Sequence, residues 1–301
     1  MPIEETVSKF VKDGDMVAFA SSAGRMSIAF THEIIRQKRR NLTFASAGTG
    51  APCLDLLVGA KAVVRAEASF TMVTSYNVRR AMEYDAQPAR KGYAFELEDY
   101  SNLAMTLRFA AASMRVPFIP IRSIRGSDIE RFRGFRGKEK LAVMKSPFKD
   151  RSDVVVLPPC RPDVAVMHAQ FADERGNVLA YGPAGSDSWA LKAARRRVVT
   201  VEKVVTNKFI KENNAHVFLP GFMVDTICEV PYGAHPYGLY GFYDVDEQFQ
   251  RDYSQASRTQ EGFDLWAKEW IFEPQGRDGY LRRLGSARLK HITKGRLSTL
   301  A

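Results

Sequence analysis

Gly14-Asp15-Met16-Val17-Ala18-Phe19-Ala20-Ser21-Ser22-Ala23-Gly24-Arg25-Met26-Ser27-Ile28-Ala29-Phe30 is the stretch on which the reading of the fold turns. Met16 to Ala20 is a near-continuous apolar run, the mark of a strand covered on both faces. Ser21 to Gly24 reads as a small polar turn that offers hydroxyls and free amides. An amphipathic helix follows, carrying Ile28, Phe30, Ile34 and Ile35. Its N-terminus would face whatever lies above the strand end, a geometry suited to an anion or an oxyanion. Arg25 adds a fixed positive charge. A plain strand-to-helix connection with no ligand fits the same residues.

Outward from this unit the pattern repeats. Leu42 to Ser46 is a second strand, ending in Ala47-Gly48-Thr49-Gly50-Ala51-Pro52, and Leu54 to Val58 begins a short helix. Ala62 to Phe70 is rich in strand formers. Strands alternating with helices, with glycines at the strand ends, predict an α/β fold with a mostly parallel sheet and helices on both faces. Gly48 and Gly50 fall short of the dinucleotide fingerprint, so a nicotinamide cofactor is not expected.

Further along, Asp99 or Ser101 can cap a helix in which Leu103, Leu107, Ala110 and Ala111 recur at helical spacing. Val116 to Ile121 is a strand whose Pro117 and Pro120 suit a sheet edge. Arg122 to Asp153 is basic, with little periodicity, and reads as a long excursion that covers a site or meets another subunit. Strands follow at Asp153 to Leu157, Val164 to Ala169 and Val178 to Tyr181, the last two joined by a hairpin over Asp173-Glu174-Arg175-Gly176-Asn177. Trp189 to Arg196 is helical and Val198 to Val205 is a strong strand. Pro231 to Tyr240, full of Gly, Pro and aromatics, is an ordered loop. Helices close the chain at Phe263 to Phe272, with Trp266 and Trp270 one turn apart, and at Tyr280 to Leu284. No repeat or linker divides residues 1–301, so one domain is expected.

The 301 residues are 45% hydrophobic and carry a net charge of +10. No apolar run is long enough to span a membrane. The first residues lack the basic and apolar segments of a secretory signal. Cys53, Cys160 and Cys228 are odd in number and widely spaced, which argues against a disulfide framework or a zinc site and fits the cytoplasm. Basic residues cluster at Arg36 to Arg40, Arg131 to Arg151, Arg195 to Arg197 and Arg282 to Arg296. No nucleic-acid motif accompanies them, so solvated faces, a polyanionic small molecule or an acidic partner chain explain them better than DNA or RNA.

Several residues invite a chemical reading. Glu67 is a carboxylate near a strand end, but a paired structural glutamate fits its setting better. Glu98 and Asp99 form a candidate acid/base pair, with helix capping as the rival account of Asp99. Cys53 has no activating neighbour and reads as a buried thiol. His235 suits a loop-orienting role. His32, His168, His216 and His291 lack metal-ligand spacing.

Gly14-Asp15 with its strand, Glu98-Asp99-Tyr100-Ser101, Pro117-Phe118-Ile119-Pro120 and His168-Ala169-Gln170 form a set that runs through most of the chain. Pro231-Tyr232-Gly233-Ala234-His235-Pro236 with Gly238-Leu239-Tyr240, and Thr259-Gln260-Glu261-Gly262-Phe263-Asp264 with Lys268-Glu269-Trp270, extend it. In this order they resemble the A subunits of glutaconate CoA-transferases, within the class I CoA-transferases. The resemblance implies the CoA-transferase fold, with a small β-rich addition to the main sheet. It implies exchange of CoA between an acyl-CoA and a carboxylic acid, with the CoA thioester as substrate and no tightly bound cofactor or metal. It also implies an obligate B subunit, in a heterodimer, heterotetramer or octamer, that brings the nucleophilic glutamate.

In the family that glutamate sits in a glycine-containing turn after a strand like Leu42 to Ser46. Here Ser46-Ala47-Gly48-Thr49-Gly50 has no carboxylate, so this chain is expected to lack the nucleophile. Ser21, Ser22 and Arg25 would then bind the substrate carboxylate or the reacting oxygen. Gly48, Thr49 and Gly50 would admit the thioester to the backbone. Thr71 and Ser75 would line the acyl pocket. The first turn keeps the family's arginine but not its neighbours, and the acyl group is expected to be glutaconyl-like, dicarboxylic or otherwise polar. Relatives that act as ring-opening acyl-CoA hydrolases or decarboxylate a glutaconyl-type CoA supply an alternative reaction on the same fold, and the hydrolases use an acidic residue in the region of Glu98. A basic binding or scaffold protein is the non-enzyme alternative.

Overall fold

A computed structural model describes residues 1–48, 50–71, 76–85, 94–131 and 139–293. Seven parallel strands form its spine: β1 (Met16–Ala20), β2 (Leu42–Ser46), β3 (Val63–Ala68) and β4 (Glu96–Asp99), then β8 (Val164–Asp173), β10 (Arg196–Val205) and β12 (Thr226–Glu229). Their spatial order is β12-β10-β8-β1-β2-β3-β4. The chain therefore winds outward from β1 to β4, returns to the other flank of β1 at β8, and winds outward again. The reversal between β1 and β8 is where a doubly wound sheet opens a crevice beyond its strand ends.

That crevice is partly roofed by the chain itself. The first half of β8 pairs with β1, Val17 to Ala20 against Val164 to Met167. Its second half runs past the end of β1 and pairs antiparallel with β9 (Val178–Leu179). The hairpin expected over Asp173 to Asn177 is thus present, and Asp173 holds it by accepting from the Arg175 and Asn177 amides at 3.0 and 2.9 Å. β11 (Val217–Leu219) adds outside β9.

Helices cover both faces. Among them are α1 (Ile3–Phe10), α2 (Ile28–Arg36), α3 (Ala51–Gly59), α4 (Tyr76–Asp85), α5 (Asn102–Ser113), α6 (Asp128–Arg131), α7 (Asp187–Ala193) and α8 (Asn207–Glu212). The C-terminal group is α9 (Glu247–Ala256), α10 (Gln260–Ala267), α11 (Gly276–Leu284) and α12 (Ser286–Ile292). One apolar core joins β1 to α2, α3, α9, α10 and α11, with Phe30, Phe44 and Phe263 buried in it. The second core lies on the other face, where Phe109 of α5 and Leu191 of α7 meet Met167 and Val199. β8 is buried along its whole length, and its apolar residues are interrupted only by His168, Gln170 and Asp173, each of them hydrogen-bonded.

The small β-rich addition is a separate antiparallel sheet of β5 (Ile119–Ile121), β7 (Asp153–Leu157) and β6 (Ala142–Lys145). Pro120 lies on the outer strand β5, as a residue without an N–H must. The sequence reading missed β6 inside the excursion, because all four of its residues are exposed and show no alternation. It also offered Asp99 beside Ser101 as the cap of the following helix. Glu96 to Asp99 instead pair with β3, and Ser101 alone caps α5, accepting from the Ala104 amide at 3.1 Å. The helix read from Trp189 starts two residues earlier, at Asp187. Among the described residues no helix is long and apolar enough to cross a membrane.

Candidate active site

Three turns meet at the carboxyl edge of the sheet. The first follows β1 and closes as a single 3₁₀ turn over Ser22 to Gly24. Gly24 has φ +83°, and a Cβ there would lie 2.6 Å from the Gly238 carbonyl oxygen. Only glycine fits, since both the backbone angle and the approach exclude a side chain. The second turn follows β2. Its Gly48 faces the Ser22 hydroxyl, to which a Cβ on Gly48 would stand at 3.6 Å. A Cβ on Gly50 would come 2.6 Å from Ser46 Oγ and 2.9 Å from the Phe44 ring. The third segment is Pro183 to Asp187, after β9. Gly185, at φ +52°, approaches Ser22 so closely that a Cβ would lie 2.3 Å from its Oγ. Ser22, Gly48 and Gly185 thus form one small, glycine-walled cradle.

The cradle is held by Arg25 and Asp187. Asp187 accepts from the Ser22 amide at 3.0 Å and from Arg25 Nε at 3.1 Å. Arg25 Nη1 donates to the Tyr181 carbonyl at 3.1 Å, and Nη2 donates to the carbonyl of Pro183. Phe218 packs over the guanidinium. Burial pushes the Asp187 carboxyl above its ordinary range, against the pull of Arg25 and the Ser22 amide. Arg25 is 0% exposed. This corrects the expectation that its guanidinium reaches a substrate carboxylate. The arginine spends its nitrogens inside the chain, on Asp187 and the Tyr181 and Pro183 carbonyls, and so ties the turn after β1 to the segment before α7. The anion site expected at the N-terminus of α2 is also partly occupied, because the Ala29 amide donates to the Gly233 carbonyl at 2.9 Å.

The other expected site residues distribute as follows. Ser21 is buried, Ser22 is half-buried, and Thr71 is half-buried just beyond β3. Thr49 and Ser75 lie outside the described residues. The second turn is pinned from α5, whose Asn102 amide donates to the Ala47 carbonyl. Gly50 precedes α3 without a side-chain cap bond.

Glu98 and Asp99 stand apart from one another in environment. Alternation along β4 buries Glu98, where Lys140 Nζ meets it at 2.7 Å, and exposes Asp99. Desolvation lifts the Asp99 carboxyl above its ordinary range, with Lys140 opposing. Tyr100 stacks under both Lys140 and Arg108, and Arg108 pairs with Glu67 at 2.7 Å. Glu67 is thus a paired buried carboxylate, although its partner is Arg108 and not the adjacent Arg65. Lys140 comes from the excursion, which does reach over the end of β4.

The buried thiol and histidines are structural. Burial pushes the Cys53 thiol up to about 12, leaving it protonated and unreactive. His235 contacts the Tyr280 hydroxyl at 2.7 Å and Asp246 at 3.1 Å. His168 meets Thr200 at 2.8 Å and Glu202 at 2.6 Å. Glu202 also accepts from the Tyr232 and Gly233 amides and the Tyr243 hydroxyl. Gln170 donates to the Tyr240 carbonyl at 3.1 Å. The motifs at 168–170 and 231–240 are therefore two sides of one brace, which presses the aromatic loop against Gly24. Among the described residues no cluster of His, Cys, Asp and Glu is placed to hold a metal ion.

The sequence reading missed Asp187, Gly185 and Lys140. The turn Pro183-Ala184-Gly185-Ser186 ahead of a helix was the available signal for the first two. Nothing in the excursion singled out Lys140.

Comparison with known proteins agrees with this architecture. Residues 1–230 match the family model for coenzyme A transferase. The chain is 31% identical to the A subunit of glutaconate CoA-transferase from Acidaminococcus fermentans, over 97% of this chain and 93% of that protein. The crystal structure of that enzyme superposes with a TM-score of 0.87 at 29% identity, covering 97% of this chain and 95% of the other. The A subunit of 3-oxoadipate CoA-transferase from Pseudomonas knackmussii is 31% identical, over 90% of this chain and 93% of its own. The decarboxylase AibA/AibB matches with a TM-score of 0.73 at 29% identity, over 88% of this chain and 97% of that one.

Proposed function

This chain belongs to the coenzyme A transferase family and is of the A type, and on that premise we propose that it forms half of a heteromeric, cytoplasmic enzyme. The enzyme moves CoA between an acyl-CoA with a dicarboxylic or polar acyl group and a free carboxylic acid. The B subunit supplies the glutamate nucleophile. That carboxylate attacks the thioester carbonyl and expels CoA thiolate, leaving an acyl-glutamyl anhydride. The thiolate then attacks the glutamyl carbonyl of the anhydride, releasing the first acid and leaving a glutamyl-CoA thioester. The second acid takes CoA by the reverse steps.

The observation that carries this reading is the cradle of Ser22, Gly48 and Gly185. Small hydroxyls and bare backbone gather at the strand ends, and the carboxylate beside them, Asp187, is committed to Arg25 and the Ser22 amide. Such a surface can stabilise a developing oxyanion but offers no nucleophile of its own. Ser21, Ser22, Gly48, Thr49 and Gly50 line the reacting centre in this proposal, and Thr71 and Ser75 line the acyl group. Arg25 positions the first turn and does not touch substrate.

A second reading rests on the buried Glu98–Lys140 pair. A carboxylate held by an ammonium at the end of β4 suits proton transfer in a hydrolase or decarboxylase of the same fold. The partner's turn discriminates the two: a glutamate there supports transfer, and its absence supports the alternative.

The test is co-expression. The purified chain alone shows no CoA transfer from a panel of acyl-CoA donors, and the complex with its B subunit does. Full turnover by the single chain overturns the proposal.

A further inference from the structure

A cavity of about 300 Å³ lies where α2 and α3 end beside α10. Its lining is mainly apolar: Ile35, Phe263 and Ala267 are buried, and Phe272 stands 45% exposed. The Phe263 ring lies against Gly59, where a Cβ would come 2.5 Å from it. After α10 the chain makes a π-helical turn over Lys268–Phe272, in which the Glu273 amide donates back to the Lys268 carbonyl at 2.9 Å. That wider turn takes Ile271 into the core and leaves Phe272 on the cavity. Such turns concentrate at functional sites.

The polar groups around the cavity divide into committed and uncommitted. The end of α3 is closed by side chains: the Gly59 carbonyl accepts from Gln260 Nε2 at 2.9 Å, and the Ala60 carbonyl accepts from Arg40 Nη1 at 3.3 Å. The carbonyls of Leu56, Leu57 and Val58 accept from the Ala60, Ala62 and Lys61 amides. The partial negative charge of that helix end is thus answered from within. Asp264, the carboxylate of the lining, accepts from Gln260 Nε2 at 2.8 Å. Arg40 and Lys61 remain. The bond to Ala60 places the Arg40 guanidinium at the cavity, its other contact is the Arg39 carbonyl at 3.2 Å, and Asp13 accepts only from the Arg40 backbone amide. Among the described residues no carboxylate pairs with the side chain of Arg40 or Lys61, and both are exposed. The hollow is therefore apolar within and carries an excess of positive charge at its rim.

We propose that this cavity binds a small amphipathic carboxylate, with its apolar body against Phe263 and Phe272 and its carboxylate at Arg40 and Lys61. A guanidinium fork matches a carboxylate, and the neighbouring ammonium adds charge. The volume is at the small end of ligand pockets and suits a body of roughly ten heavy atoms. The site stands independently of the CoA-transfer reading. Arg40 and Lys61 shortly precede β2 and β3, so the cavity lies at the amino ends of these strands and the cradle at their carboxyl ends. The two ends are joined all the same. α2 runs from the first turn to Ile35, and α3 runs from the second turn to Gly59. An occupant therefore bears on the far ends of both helices that carry the cradle.

Hydrocinnamate, a phenyl ring on a short carboxylate tail, is the probe, titrated calorimetrically into the purified full chain. Hydrocinnamyl alcohol, the same body without charge, and acetate, the head group alone, are the controls. Hydrocinnamate binds saturably at one per chain, and each control binds at least roughly tenfold more weakly. Arg40→Gln and Lys61→Gln each weaken hydrocinnamate binding by about threefold or more, and the double variant loses the preference over the alcohol. Ala60→Trp, at a half-buried lining position, fills the cavity and abolishes binding with both cations in place. Should Ala60→Trp fail to fold, the two exposed substitutions carry the test. Non-saturating binding, equal affinity for hydrocinnamate and its alcohol, unchanged affinity in the double variant, or full binding by a folded Ala60→Trp chain overturns the proposal.

Discussion

Arg25 Nε and Asp187 Oδ2 meet at 3.1 Å, and both side chains are almost wholly withdrawn from solvent. This pair joins the turn after β1 to the start of α7, across the crevice between β1 and β8. Removing one member strands the other as a buried charge. Asp187→Asn and Arg25→Ala are each expected to lower unfolding free energy by about 3–5 kcal/mol. Arg25→Lys rescues little, because a single ammonium cannot replace a fork that reaches Asp187 and two carbonyls at once. Urea denaturation measures the effect. A cost below about 1 kcal/mol for both would show that the guanidinium is not a structural tie.

Glycine positions in the cradle separate by geometry. Gly24→Ala and Gly185→Ala each place a side chain at positive φ and against an atom closer than 2.7 Å. Each is expected to destabilise the chain by at least about 1 kcal/mol and to impair the complex. Gly48→Ala meets Ser22 Oγ at an ordinary 3.6 Å, so it should fold normally. If the cradle binds substrate, that methyl group still intrudes there, and KM rises while the melting temperature holds. Normal kinetics in Gly48→Ala would separate this turn from the reaction.

Ser22→Ala removes a half-buried hydroxyl without touching the Asp187 bond, which uses the backbone amide. With the B subunit present, transfer should fall about tenfold or more in kcat/KM, in line with the loss of one donor to a developing oxyanion. Thermal stability should be unchanged. Full activity would place the reacting oxygen elsewhere.

Cys53, Cys160 and Cys228 are all buried, and burial raises the pKa of each thiol. A disulfide-exchange reagent at neutral pH should label none of them in the folded chain and all three after denaturation. Stoichiometric labelling of the native protein would contradict the packing around them.

Acid should weaken the fold before it affects solvent-exposed carboxylates. Desolvation holds His32 and His235 below their ordinary pKa, so the folded state binds fewer protons than the unfolded state. Their contribution is fully present above about pH 6.5 and is lost as pH falls below it, at up to about 1.4 kcal/mol per pH unit for each histidine. Asp246, held low mainly by His235 and Arg288 against desolvation, adds a further loss below about pH 4. Denaturation at pH 8, 6.5 and 5.5 checks the slope, and His235→Gln should reduce it. Stability that rises on acidification would rule this out.

The centre of the main sheet was readable because its strands are largely buried, whereas the outer strands β4 and β12, each with a single buried residue, were not. Met16 to Ala20, Leu42 to Ser46 and Val198 to Val205 are rich in apolar and β-branched residues and are set off by glycine or basic turns, which is enough to mark them as strands. β6 was not readable, since Ala142 to Lys145 are all exposed and carry no face preference. α9 was hidden for another reason: its buried side hangs on Phe249 alone, with Tyr253 and Ala256 only partly covered. The candidate site divides in the same way. Turn residues such as Ser22 and Gly48 follow from the local strand-turn-helix pattern. Arg25's partner does not, because Asp187 lies 162 residues away and only the β8–β9 overhang brings the two together. An arginine at a strand end looks like a ligand-binding group until its intramolecular acceptors are known.

The Ser22 amide hangs from a carboxylate 165 residues further along the chain. During synthesis the first half of the sheet therefore leaves the ribosome with its leading turn unfinished. Maturation of the cradle is thus timed by the late arrival of α7, and a product truncated ahead of it would keep β1 to β4 yet lack the tether that shapes the site.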